Sequence, residues 1–153
     1  MWKVTAVVVI AAGVWLGARG PVPPPVVDGP GGAAIFFPTV PIGGAYPAAL
    51  IHGTLEERNR CLFVGNHREH WLLLWLRGYD ARVVNGQVEV ADESGQLVGR
   101  VGDEVELGGG EGRPIEVGGA AAAESWATDL TGVDIPERCG DLYWIVAPAG
   151  AGF

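Results

Sequence analysis

The pattern of hydrophobic and polar positions divides the chain into four parts. Residues 1–20 contain fifteen consecutive uncharged, almost wholly apolar positions behind Lys3. Residues 21–48 are rich in proline and glycine, and residues 49–148 consist of short apolar runs separated by turn residues. We therefore expect a hydrophobic helix, a Pro-rich linker, one β domain and a short tail at residues 149–153.

The N-terminal segment predicts export. A short basic region followed by a long apolar stretch is typical of a secretory signal peptide. With its flanking residues the stretch also approaches the roughly 20 residues of a membrane-spanning helix. Two interpretations stay open: a signal peptide that is cleaved, or an anchor that holds the protein in the membrane through residues 2–19. Positive charge ahead of the segment places the rest of the chain outside. The expected location is thus the cell membrane with the domain outside, or the secreted fraction.

From residue 49 onward the pattern predicts an all-β domain. Asn85-Gly86 between β-branched residues is a strong hairpin signal. Residues 108–112 are expected to form a flexible loop, and residues 118–130 either a short helix or a loop. Many short strands at close spacing favour a small antiparallel barrel, preferably of the oligonucleotide/oligosaccharide-binding (OB) type, or a sandwich. The predicted strands cover residues 49–56, 60–64, 69–76, 82–85, 87–91, 96–101, 104–107 and 142–147.

The two cysteines, Cys61 and Cys139, predict a disulfide. An even cysteine count in an exported chain favours a bond over free thiols. Such a bond would join the start of the β domain to its end and close it.

Charge excludes one class of partner. Residues 21–153 carry eight Arg, no Lys and 18 acidic residues, a net charge of −10. Binding to a phosphate backbone normally needs a basic surface. We therefore expect no nucleic-acid partner.

A set of short motifs runs through the β domain. They are Gly53-Thr54-Leu55, Cys61-Leu62, Trp71 with Trp75, Gly86-Gln87-Val88-Glu89-Val90, a G-D-x-V-x-x-G-G-G run at 102–110, and Cys139-Gly140 before Tyr143-Trp144. As a set they resemble a loose group of small, mostly uncharacterised β domains of high-GC bacteria that are exported or membrane-anchored. The resemblance covers roughly residues 49–147. It implies a location and a fold, and no reaction or catalytic residue.

The three histidines lie within 19 positions of one another and are the candidate metal ligands: His52, His67 and His70. Exported domains bind Zn or Cu through imidazole. The alternative is that the histidines are solvated residues of a turn, and the favoured prediction includes neither a metal nor a cofactor.

Two aromatic and apolar sets are candidate contact surfaces. Trp71, Trp75, Tyr143 and Trp144 lie on predicted strands, where they either fill the core or form an exposed platform for a sugar or a partner. The predicted linker carries apolar residues that either pack on the domain or bind a partner: Ile35, Phe36, Phe37 and Tyr46.

Catalytic motifs are not evident. The only serines are Ser94 and Ser125, and neither lies in a G-x-S-x-G motif. Glu111 follows the triple glycine where a phosphate-binding loop needs Lys. We expect a non-enzymatic extracytoplasmic domain that is an accessory, structural or partner-binding subunit of a membrane or cell-envelope complex. The alternative is a secreted or tethered β-barrel that binds a saccharide, a peptide or a metal ion.

Overall fold

A computed structural model of the chain describes residues 26–41, 49–66, 68–112 and 119–147, without the side chains of residues 119–123. This part of the chain contains eleven strands, one α-helix and two 3-10 helices. The 3-10 helices are Pro30–Gly32 and Glu137–Cys139, and the α-helix, α1, is Gly119–Thr131. The strands are β1 (Val26–Asp28), β2 (Ala34–Phe36), β3 (Thr39–Val40), β4 (Ala49–Arg58), β5 (Cys61–Gly65), β6 (His70–Leu76), β7 (Asp80–Val84), β8 (Gln87–Ala91), β9 (Leu97–Arg100), β10 (Glu104–Gly112) and β11 (Tyr143–Val146).

Five strands close into a barrel. β4 pairs with β5, β5 with β6, β6 with β11, β11 with β10, and β10 returns to β4. Four of these pairs are antiparallel, and β6 with β11 is parallel. Closure leaves the ring without a free edge. The prediction of a mostly β fold with a small barrel is confirmed.

A separate three-stranded sheet follows the barrel's third strand. Its strands β7, β8 and β9 form a meander. Asn85 and Gly86 have φ values of 53° and 79° at the tip of the first hairpin, as a tight turn with two positive φ angles requires. The Leu55 amide donates to the Asp103 carbonyl at 2.9 Å, and the Gly102 amide donates to the Leu55 carbonyl at 2.7 Å. These bonds fix the turn after β9 to the barrel.

Part of the predicted linker is folded. β2 pairs with β5 and β3 pairs with β6, both in parallel. The segment lies where β5 and β6 diverge, and the Trp75 amide donates to the Pro38 carbonyl at 3.0 Å. Residues 26–40 therefore belong to the folded domain, whose start the sequence placed at residue 49.

The apolar residues of this segment fill the core. Ile35, Phe36 and Phe37 are 1%, 1% and 4% exposed. Their side chains are not available as a surface patch, so the partner-patch hypothesis is corrected for these three positions and the packing alternative holds. Tyr46 lies outside the described residues.

The barrel wall separates two hydrophobic cores. Leu73 and Trp75 of β6 point into the barrel, where they meet apolar residues from all five strands. Leu72 and Leu74 point outward against a cover formed by α1, the segment after it and the β2–β3 segment. β6 is thus buried on both sides, which explains its nearly unbroken apolar sequence.

Two ambiguous stretches are now assigned. α1 confirms the helical alternative for residues 118–130, and Trp126 packs on Tyr143 with ring centroids 6.4 Å apart. The expected flexible loop at residues 108–112 is instead the end of β10, which pairs with β11. A Cβ at Gly109 would collide with the Ile145 carbonyl oxygen, so the glycine allows the close approach of the two strands.

The predicted disulfide is present. Cys61 at the start of β5 is bonded to Cys139, with 5.7 Å between the Cα atoms and 78 positions between the residues. Both residues are fully buried under the cover. The bond ties the second barrel strand to the segment that leads into the last one.

None of the helices in the described ranges has the length and hydropathy needed to cross a membrane. Residues 2–19, the predicted signal or anchor, lie outside those ranges.

Candidate functional site

The outer surface of β4 and β10 is mostly polar, although it includes the exposed Leu50. Along β4 the side chains alternate, with Ile51 and Leu55 directed inward and His52 and Thr54 directed outward, as the two-residue period of a strand requires. The register places Glu104 of β10 beside Thr54. We call this outer surface of β4 and β10 the open wall.

A groove of about 370 Å³ lies between the open wall and the β5–β6 hairpin. Its floor includes the backbone of Gly53 and Gly65. The side chains used in the following argument are those of His52, Thr54, Glu56, Arg58, His70 and Glu104. We call this site the polar groove.

Glu56 is the centre of one charged group in the groove. Its Oε2 lies 2.6 Å from Nε of Arg58 and 3.4 Å from Nδ1 of His70. A Cβ on Gly65 would collide with the His70 ring. The absence of a side chain at Gly65 therefore lets the imidazole reach across β5 to Glu56.

The other side of the groove holds one exposed carboxylate, that of Glu104. Thr54 Oγ1 donates to Glu104 Oε1 at 2.9 Å. Nε2 of His52 lies 3.2 Å from Oε2 of Glu106, the next outward residue of β10. Two carboxylates line the groove, those of Glu56 and Glu104, against the one guanidinium of Arg58, and Glu106 adds a further carboxylate beside the groove. The arrangement is suited to binding a cation or a hydrogen-bond donor.

The candidate metal ligands are only partly brought together. His52 and His70 line the same groove, but each lies against a different glutamate. His67 lies outside the described residues. In the part of the chain that the structure describes, no group of three or more His, Cys, Asp or Glu is placed to hold a metal ion. The described residues therefore provide no set of ligands that supports the metal hypothesis.

The aromatic platform is not found. Trp75, Tyr143 and Trp144 are 0%, 0% and 6% exposed, and half-buried Trp71 packs on the barrel core. The three tryptophans face the barrel interior, whereas Tyr143 faces α1. Their role is packing, which is the alternative that the sequence had left open.

Burial also affects the ionisation of Tyr143. Loss of solvent raises the pKa of Tyr143 to about 12, and the nearby carboxylates of Glu124 and Asp141 act in the same direction. The phenol is therefore neutral at physiological pH, and its hydroxyl donates to the Gly140 carbonyl at 3.3 Å.

Two further acidic residues have structural partners. Asp92 Oδ1 accepts hydrogen bonds from the Ser94 hydroxyl and from the Ser94 and Gln96 amides, and the hydroxyl is the main reason why the pKa of Asp92 is lowered. Buried Glu89 lies 2.7 Å from Nε of Arg100 through Oε1. These carboxylates stabilise a turn and the three-stranded sheet.

Comparisons of the chain with protein-family models, with curated proteins and with solved structures found no match. The likeness to exported β domains of high-GC bacteria therefore stays an expectation.

Proposed function

We propose that this protein is a non-enzymatic extracytoplasmic domain that serves as an accessory or partner-binding subunit of a membrane or cell-envelope complex. The observation that carries the proposal is the bond between Cys61 and Cys139. Disulfides form and persist in oxidising compartments and are rare in the cytosol. The apolar segment at residues 1–20 supports the same location, either as a cleaved signal peptide or as a retained anchor.

We further propose that the barrel is of the OB type, which is a five-stranded Greek-key barrel. The support is its strand order. Within the ring, the first strand, β4, pairs with the second and the fourth, and the third and fifth strands, β6 and β11, run parallel. This connectivity supports the proposal of an OB barrel.

The proposal includes no nucleic-acid partner, although OB barrels often bind oligonucleotides on the face of their second and third strands. Here the outer surface of those strands, β5 and β6, carries apolar residues such as Phe63 and Leu74, which are buried under the chain's own cover. The net charge of −10 in residues 21–153 supports the same conclusion.

The open wall supports partner binding. It is the part of the barrel surface on which His52 and Glu106 are well exposed, with side-chain accessibilities of 68% and 57%. A protein partner would meet exposed polar side chains there.

The second candidate is a secreted or tethered ligand-binding barrel. The polar groove favours it, because a concave site with converging polar groups is the usual form of a small-ligand site. A saccharide or a short peptide fits this chemistry.

The native size of the protein tests the first candidate. Membranes of the producing cells are solubilised in a mild detergent, and the protein's native size is compared with that of the purified chain in the same detergent. A complex subunit migrates well above the purified chain. Identical migration, or recovery as a free monomer outside the cell, contradicts the subunit proposal and favours the ligand-binding barrel.

A further inference from the structure

We infer that Asn85 is a site of spontaneous covalent modification, at which the side-chain amide is lost and aspartate or isoaspartate forms. The chain contains three asparagines, Asn59, Asn66 and Asn85. Their surroundings in the structure differ, and the differences favour reaction at Asn85. The inference goes beyond the proposed function and does not depend on it.

The reaction needs the asparagine, the residue that follows it, and water. The backbone nitrogen of the following residue loses its proton to the solvent and attacks the side-chain carbon Cγ. The bond between Cγ and Nδ2 breaks, and the nitrogen takes up a proton and leaves as ammonia. Water then opens the cyclic succinimide at either carbonyl, which gives aspartate or isoaspartate. A glycine favours the attack because it has no side chain to hinder the approach of its nitrogen.

Asn85 is followed by Gly86 at the tip of the β7–β8 hairpin, and both residues are exposed. Apart from its chain neighbours, no atom would lie within 4 Å of a Cβ placed on Gly86. In the part of the chain that the structure describes, the Gly86 amide donates no hydrogen bond. The attacking nitrogen is therefore open to solvent, and the turn can distort without disturbing packed groups.

Asn59 is an internal control, because it lies in a turn of similar backbone conformation. It begins the two-residue turn between β4 and β5, with a φ of 51° against 53° at Asn85. The next residue is Arg60, whose side chain hinders the attack, and whose amide donates to Oε1 of Glu57 at 2.9 Å. The carboxylate thus holds the proton that the reaction must remove. The Asn59 carbonyl also accepts a hydrogen bond from Nε of Arg138 at 3.0 Å, which restrains the turn.

Asn66 is restrained by its own side chain. Its Oδ1 accepts hydrogen bonds from the Arg68 amide at 2.8 Å and from the Glu69 amide at 3.1 Å. Rotation of the side chain towards the following amide would break these bonds. The residue that follows in the sequence is His67, which is not a glycine. We therefore expect Asn66 to react slowly as well.

Isoaspartate at position 85 would alter the hairpin. It places the Cβ atom in the main chain and so lengthens a two-residue turn whose geometry sets the strand register. The pairs closest to the turn are Val84 with Gln87 and Val83 with Val88. We expect these pairs to be disturbed, whereas the barrel strands are joined by other turns.

The test follows the full-length protein in detergent micelles during prolonged incubation at mildly alkaline pH, which favours loss of the amide proton. Peptide mapping by mass spectrometry locates each deamidated residue, and fragmentation distinguishes isoaspartate from aspartate. We expect deamidation at Asn85 to be at least about tenfold faster than at Asn59 or Asn66, a difference of about 1.4 kcal/mol in activation free energy. An Asn85 that stays intact, or that reacts no faster than Asn59, would overturn the inference.

Two variants separate the effect of the structure from that of the sequence. Asn85→Gly keeps a residue suited to the positive φ of this turn, and it should abolish deamidation in this peptide. Arg60→Gly gives Asn59 the same following residue as Asn85 but keeps an amide that can donate to Glu57. Asn59 should then still react several-fold more slowly than Asn85. Equal rates at the two positions in Arg60→Gly would overturn the role of the structure and leave the sequence alone as the cause.

Discussion

The outer surface of the barrel has two parts, which differ in what covers them. The outer surfaces of β5, β6 and β11 are buried under α1 and the segment that carries Cys139, except at Gly65 and His70, which line the polar groove. We call the buried part the covered wall. The open wall of β4 and β10 faces solvent with histidine, threonine and glutamate. The chain thus buries one side of its barrel under its own cover and leaves the other side exposed to solvent.

Sequence patterns of the two walls reflect this difference. β6 reads His70–Leu76 with six consecutive apolar residues after the histidine, because both of its faces are buried. β4 alternates apolar and polar residues, because only its inner face is buried. The comparison predicts that substitutions in the covered wall strongly lower the free energy of unfolding of the protein. Substitutions in the open wall should change it little.

The largest expected effect is at the disulfide. Cys61→Ser removes the cross-link over 78 positions, which the chain-entropy model values at up to about 4.5 kcal/mol of the free energy of unfolding. Urea unfolding of the wild type and the variant measures the loss. A thermal midpoint that is equal with and without reductant would contradict the prediction.

A core residue of the covered wall comes next. Leu74→Ala leaves a cavity under α1, because Leu74 is 0% exposed, and should lower the free energy of unfolding by about 2–5 kcal/mol. Leu50→Ala at a position on β4 that is 48% exposed is the control, with an expected change within about 0.5 kcal/mol. Similar losses in the two variants would remove the distinction between the walls.

Alanine substitutions at two glycines of the polar groove are expected to differ in their cost to stability. A Cβ at Gly53 would meet the Gly65 backbone carbonyl, which cannot move without disturbing the β4–β5 pairing. Gly53→Ala should therefore cost about 1–3 kcal/mol. At Gly65 the obstacle is the His70 ring, which can rotate away, so Gly65→Ala should cost less than about 1 kcal/mol.

The readout for Gly65→Ala is the position of the imidazole. Loss of the contact between His70 and Glu56 should shift the His70 ring resonances in NMR spectra while urea unfolding changes little. Unchanged ring resonances would show that the contact does not depend on the missing side chain at position 65.

The last expected effect is absent at neutral pH and appears only at alkaline pH. Since the pKa of Tyr143 rises from 10.0 to about 12 in the folded protein, the unfolded chain releases this proton first, and stability falls as the pH rises above about 10. Below that pH both states are protonated and Tyr143 contributes no pH dependence. Tyr143→Phe should flatten the decline measured by urea unfolding between pH 9 and 11. An unaltered slope would show that burial of the phenol does not control its ionisation.

Local patterns in the sequence predicted much of the fold. Turn residues such as Asn85-Gly86 located the hairpins, and the cysteine count predicted the disulfide. The strands within residues 26–40 were missed because the Gly and Pro content of this segment is typical of a linker. The strands form through pairing with β5 and β6, which are distant in sequence. The glycine run of β10 was missed for the same reason, since its strand structure depends on the approach of β11.

The polar groove could not be predicted from local sequence patterns. Its formation depends on the register that places Glu104 beside Thr54 and on the reach of His70 across Gly65. The signal was present as outward polar positions on two strands, but the sequence does not state which strands are neighbours. Trp71 and Trp75 lie four positions apart on one strand and therefore share a face, but only the closed barrel shows that this face is internal.

The most direct test of the account is the intact mass of the native protein, measured after alkylation without reductant on washed membranes and on the extracellular fraction. The account predicts an unalkylated species that is lighter than the reduced chain by the two hydrogen atoms lost when Cys61 and Cys139 join. The fraction that contains it shows whether residues 1–20 are an anchor or a cleaved signal. A native species in which both thiols are alkylated would contradict a disulfide-closed, extracytoplasmic domain.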